Sequence, residues 1–212
     1  MPHRDLEPGD LEHALQALTG QDTDIARALP QVGVPELRRR DKGFATLLGT
    51  IVSQQISLEA ARAISGRLKE RLPALSARAI VAADGQTLRD AGLSWRKVEY
   101  AQGLAEAELS GTFNAAALET MSDADAVAAI TALRGFGRWS AEIYLMFSLA
   151  RDDIFPADDL ALRAALGKLK RLDERPTPGQ SRRLVEHWAP HRSAGALFLW
   201  HYYRNTPRDT PV

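Results

Sequence analysis

The chain has 212 residues, 45% hydrophobic and 25% charged, enough to bury a core as one or two intimately packed domains. It contains no cysteine, which excludes disulfides, a catalytic thiol, thiolate zinc and any Cys-ligated iron–sulfur cluster. Its net charge is zero, which argues against a wholesale polyanion binder, although Lys and Arg are in excess from Arg134 onward.

In chain order, the N-terminal MPHRDLEPGD lacks an apolar h-region, and no later apolar run approaches about 18 residues, so neither a signal peptide nor a membrane span is expected. The expected location is the cytoplasm, or the nucleoid of a bacterial cell. Helices are predicted over 8–18, with Asp10 near the start, and over 22–29. Phe44, Leu47, Leu48, Ile51 and Val52 recur at helical spacing, and Ser57 is the expected N-cap of a helix over 57–72. Further helices are predicted over 76–83, 86–91, 96–109, 114–120, 123–133, 138–150, 159–169, 178–188 and 191–203, most of them bounded by Ser, Asp, Asn, Gly or Pro. No run shows the period-two alternation of a strand, so the class is all-α, without linker, repeat or low-complexity tract.

The stretch LRGFGRWSAEIY, starting at Leu133, places Gly135 and Gly137 between two of these helices. One reading is an ordinary αα-hairpin, with the glycines as C-cap and corner. The other is a turn whose amides, with the positive end of the next helix, cradle a phosphate, Arg138 adding charge and Ser140 a hydroxyl. Such a grip holds nucleic-acid backbone without reading sequence.

The segment Leu133-Arg134-Gly135-Phe136-Gly137-Arg138-Trp139-Ser140-Ala141 resembles the hairpin of the helix-hairpin-helix DNA glycosylase superfamily, L-x-G-[VIF]-G-x-x-[TS]-A. Downstream, FPADDLALR from Phe155 is similar to the superfamily's Pro-x-x-Asp stretch opening a helix. Upstream, IVSQQIS from Ile51 resembles the segment that carries the residue wedged into DNA. Near the C-terminus, WAPHRS from Trp188 and LWH from Leu199 are similar to the 3-methyladenine DNA glycosylase II branch. The four blocks stand in the family order.

The resemblance implies a two-domain helix-hairpin-helix glycosylase fold with the active-site cleft between the helical domains and no N-terminal β domain. One domain is expected over 43–150, with the hairpin unit at about 123–150, and the other from 1–42 with 151–212. The implied activity is base excision repair: a damaged base is flipped out and its N-glycosidic bond hydrolysed, leaving an abasic site. The transition state is oxocarbenium-like, so a carboxylate beside the sugar stabilises it. The resemblance puts that carboxylate at Asp159, and Asp158 is read as a helix cap or a solvated neighbour. Trp139 occupies the slot where the bifunctional branch, like endonuclease III or oxoguanine glycosylase, has a nucleophilic lysine. An indole forms no Schiff base, so a monofunctional enzyme is expected.

Alkylated purines such as 3-methyladenine and 7-methylguanine are cationic, and an aromatic face attracts them. Trp139 and Trp200 are the expected base-pocket walls, with Tyr144 and His201 as lesser candidates. Gln54 and Gln55 are expected to enter the minor groove, and Gly135, Gly137, Arg138, Ser140 and Ala141 to contact the DNA backbone. The resemblance further suggests a structural Na+ or K+ on the backbone carbonyls of Thr131, Leu133 and Phe136; no cofactor is required. The expected partner is double-stranded DNA with damaged bases, bound by a monomer and no membrane. Alternatives are another lesion such as hypoxanthine, a bifunctional lyase, or a non-catalytic DNA-binding module. His187 and His191 have metal-pair spacing, but Pro190 breaks the helix between them. The run KLKR from Lys168 reads as a solvated helix end.

Overall fold

The computed structural model describes residues 8–206. They form twelve α-helices and two 3-10 turns, with no strand among the described residues: α1 (Pro8–Gln21), α2 (Thr23–Val32), α3 (Phe44–Ser53), α4 (Leu58–Arg71), α5 (Ala77–Ala82), α6 (Gly85–Asp90), α7 (Trp95–Ser110), α8 (Asp123–Thr131), α9 (Arg138–Phe147), α10 (Leu160–Leu169), α11 (Pro178–Leu184) and α12 (Arg192–Asn205). Among them no helix is long and apolar enough to cross a membrane.

Local chemistry explains most of the boundaries. Ser57, Ser76, Asp84, Ser94, Ser122 and Thr177 each accept a backbone amide at a helix start, and each such cap stabilises its helix by about 1 kcal/mol. Thr177 and Gln180 complete a capping box behind Pro178. Three predicted helices differ. The one over 114–120 shrinks to a 3-10 turn, Ala117–Glu119, because the Asn114 side chain takes the amides of Ala116 and Ala117. The one over 178–188 stops at Leu184, and Glu186–Trp188 forms a separate 3-10 turn. Conversely α2 continues through Pro30 to Val32 and ends at Gly33, whose φ of 78° suits glycine.

The chain divides into two compact units. One is continuous, Arg40–Tyr144. Within it α3 packs on α4 and α7, and α5 and α6 lie against α7. Leu47, Leu48, Ile51 and Val52 of α3 are buried, as are Val98, Ala101, Leu104 and Ala105 of α7, each set at helical spacing.

The other unit combines the residues up to Arg39 with those from Leu145 onward, so the division falls inside α9. Here α12 packs on α1, α2 and α10. Its centre is the fully buried Trp188, whose ring lies so close to Gly195 that a Cβ there would sit 2.4 Å from it. The indole N–H of Trp188 donates to the buried Asp22 carboxylate at 2.6 Å. Lys170 donates to the same oxygen at 2.5 Å, and His187 lies 3.1 Å away. Lys170 is thus drawn into a buried ion pair, where the KLKR run was expected to be solvated. A pattern of successive basic residues carries no sign of a carboxylate supplied 148 positions away.

Candidate functional site

The α8–α9 connection is short, and its two glycines do different work. Gly135 has φ 92°, and a Cβ on it would lie 2.3 Å from the Tyr100 ring, so both backbone and space demand glycine. Gly137 has no positive φ, and nothing lies within 4 Å of where its Cβ would be. No contact within its unit requires glycine there; the residue leaves an open approach to backbone at the start of α9. Phe136 between them is buried and anchors the turn.

Around this hairpin the predicted contacts separate. Arg138 is more than half exposed, and its Nε donates at 2.7 Å to Glu142, one turn along α9. Trp139 is 43% exposed, so this large aromatic is presented at the surface instead of entering the core. Ser140 and Ala141 are buried, and the Ala141 amide closes the first turn of α9 on the Gly137 carbonyl. Helical periodicity turns both side chains inward. Of the three carbonyls suggested for a cation, that of Leu133 already accepts the Phe136 amide at 3.2 Å.

The two glutamines also part. Gln54 ends α3 and folds its side chain back, Nε2 donating to the Gly135 carbonyl at 2.7 Å. Gln55 is exposed at the turn before α4 and holds φ 57°, a left-handed conformation that costs a non-glycine residue on the order of 1 kcal/mol and concentrates at functional turns. Gln54 is therefore bound to the protein, not extended toward a groove.

In the other unit, Asp159 is the N-cap of α10. One carboxylate oxygen, Oδ1, accepts the Leu162 amide at 2.9 Å and the Trp200 indole N–H at 3.2 Å. Trp200 is half-buried just past the middle of α12, and its ring lies 5.7 Å from that of Phe147. A carboxylate held in one orientation by the partly exposed Trp200, whose ring packs on Phe147, is a place for a flat, electron-poor group next to an anion. The cap belongs to Asp159; Asp158 is exposed and pairs with Arg182 at 3.1 Å.

Two other expected pocket walls make hydrogen bonds within their own units. Tyr144 is 3% exposed and its hydroxyl accepts the Gly43 amide at 2.7 Å; burial pushes the phenol above its usual range, and the Gly43 amide opposes this only in part. It is a core residue. His201 donates Nε2–H to the Val32 carbonyl at 2.7 Å, while Asn205 approaches Nδ1, so its ring fastens α12 to the end of α2. Phe147, by contrast, is not among the expected site residues; its only sequence signal is being the third aromatic of α9, after Trp139 and Tyr144.

A family model described as HhH-GPD superfamily base excision DNA repair protein matches residues 48–191. The chain belongs to that superfamily. This HhH-GPD chain is 33% identical over 204 residues to DNA-3-methyladenine glycosylase 1 of Schizosaccharomyces pombe, a match covering 92% of the chain and 89% of that protein. Among solved structures, the S. pombe 3-methyladenine DNA glycosylase in complex with abasic DNA aligns with TM-score 0.76 and 33% identity, covering 89% of this chain and 95% of that one. A DNA-3-methyladenine glycosidase from Bacillus halodurans aligns with TM-score 0.83 and 28% identity, covering 90% and 88% respectively. The family match spans the residues that carry α4 to α11, including the glutamine turn, the hairpin and Asp159.

Proposed function

We propose that this chain is a monofunctional DNA glycosylase that removes N-alkylated purines, 3-methyladenine and 7-methylguanine among them, from double-stranded DNA. The observation that carries the proposal is the Asp159 carboxylate, fixed by the Leu162 amide and by the indole of Trp200, whose ring packs on Phe147. The names of the 33%-identical relatives support the same substrate class.

Alkylation at N3 or N7 leaves the purine cationic. Cleavage of the bond from C1′ to the base nitrogen returns its electron pair to the ring and releases a neutral base, so no general acid is needed. The positive charge passes to the sugar, where the Asp159 carboxylate stabilises it. Water then bonds through oxygen to C1′ and gives up a proton to the Asp159 carboxylate. Trp200, whose indole holds Asp159, supplies a π face that favours a cationic base over a neutral one, worth about 0.5–2 kcal/mol, and Trp139, exposed at the surface of its own unit, is an aromatic face of the same kind.

Binding is assigned to the open backbone at Gly137, the first turn of α9 and Arg138, which together suit a DNA phosphate. Gln55, exposed and left-handed, fills the gap left by the extruded base. The Thr131, Leu133 and Phe136 carbonyls are hard neutral oxygens of the kind that suits Na+ or K+, and an ion there would offset phosphate charge.

The test is base release from methylated duplex DNA followed by chromatography, with the strand examined before and after alkali. Free 3-methyladenine or 7-methylguanine, with nicks only after alkali, is the expected result. Absence of any released base overturns the proposal.

A further inference from the structure

The turn joining α3 to α4 is held from both sides. Before Gln55, the Gln54 side chain donates to the Gly135 carbonyl at 2.7 Å, and Lys97 Nζ, reaching over from α7, donates to the Val52 carbonyl in the last turn of α3 at 2.7 Å. After it, Ser57 caps α4 through the Ala60 amide at 3.1 Å. Gly135 is itself immobilised, being fixed by its own φ and by the Tyr100 ring pressed against it. An exposed glutamine at φ 57° persists only when its surroundings over-determine it. Lys97 has lost part of its hydration to make its contact, and this burial lowers its pKa.

We propose that Gln54 is a positioning residue: it couples the hairpin to Gln55, so that gripping a DNA phosphate and inserting the side chain into the base stack occur as one rigid movement, with Lys97 as the second strap. The inference rests on the reading that Gln55 enters the stack. The residue whose carbonyl receives Gln54 belongs to the turn that would bear the phosphate. With the strap intact, docking the hairpin fixes where Gln55 stands. Without it, the hairpin still binds, and Gln55 relaxes toward ordinary backbone conformations that miss the gap.

The experiment is a double-mutant cycle read by base release from methylated duplex DNA, in parallel with the fluorescence of 2-aminopurine placed beside an abasic-site analogue. Gln54→Met keeps the length of the side chain and removes the donor. It is expected to slow release by roughly five- to tenfold, to lower the 2-aminopurine signal, and to leave the affinity for undamaged duplex within about twofold. Gln55→Ala is expected to give a loss of similar size, and the double variant to be no slower than Gln55→Ala alone, because Gln54 has nothing left to position. Losses that multiply mean that Gln54 acts on DNA directly and overturn the coupling. A Gln55→Ala variant with wild-type release and fluorescence overturns the stack-insertion reading itself, a distinguishable failure. If Gln54→Met melts well below the wild type, Lys97→Met replaces it in the cycle, with the same non-additivity expected and multiplicative losses again decisive against the proposal.

Discussion

The indole N–H of Trp200 and the backbone amide of Leu162 converge on one oxygen of Asp159, at 3.2 and 2.9 Å. Helix capping and the orientation of the proposed catalytic anion are therefore the same interaction. Asn at this position accepts both bonds as a neutral amide and is an equally good cap. Asp159→Asn should thus melt within about 2–4 °C of the wild type while base release falls by at least about a hundredfold. Single-turnover release alongside calorimetry checks this, and wild-type release by the variant would falsify the assignment of Asp159.

Trp200→Phe isolates the indole N–H. The ring contact with Phe147 survives, but Oδ1 of the carboxylate loses the indole donor. A slowing of about five- to tenfold is expected from one hydrogen bond to a charged group, and Trp200→Ala should be slower still.

The hairpin glycines should respond oppositely. Gly135→Ala forces a methyl into the Tyr100 ring from a left-handed backbone and should cost about 2–4 kcal/mol of stability. Gly137→Ala meets open space and should cost at most about 1 kcal/mol, yet weaken DNA binding by obstructing the approach of a phosphate. Denaturant unfolding and filter binding separate the two effects; undiminished DNA affinity in Gly137→Ala would count against the phosphate site.

Trp139 also bears on strand chemistry. With an indole in the lysine slot, borohydride should trap no covalent protein–DNA adduct on alkylated substrate, and a trapped adduct would require a different nucleophile.

Asp22 predicts an acid limit. Burial pushes its pKa up, but the bonds from Lys170 and Trp188, the Lys170 charge and the Asp24 amide outweigh this and hold the carboxyl below its ordinary value. A lowered folded pKa contributes stability above the unfolded value of about 3.9 and loses it as pH falls through the folded one. Asp22→Asn should therefore cost about 2 kcal/mol between roughly pH 5 and 8, with the difference from wild type vanishing in stronger acid. A difference that does not depend on pH would contradict this account.

The all-α class was legible because apolar periodicity and short-range caps act within one turn: the α3 core positions and Ser57 can be read from their neighbours. The hairpin was legible as a motif, since two glycines bounded by helical runs have few other uses. What stayed hidden depends on partners distant in sequence. Nothing near Gln54 announces that its amide meets a carbonyl 81 positions on. Nothing near Tyr144 reveals that the amide of Gly43 awaits its hydroxyl, so an aromatic at helical spacing read as a pocket wall. Asp158 and Asp159 were ambiguous locally because either can cap a helix, and backbone geometry settles the cap on the second.

The unit assembled from both ends of the chain has a consequence for biosynthesis. Its α1 and α2 leave the ribosome before the continuous unit, but the helix that covers them, α12, and the Lys170 and Trp188 groups that bind Asp22, leave after it. Contacts spanning that much sequence form late. The continuous unit, by contrast, has its whole core once Tyr144 has emerged. Vectorial folding should therefore begin in the continuous unit, with protease protection of nascent chains appearing over Arg40–Tyr144 while α1 and α2 are still cleavable.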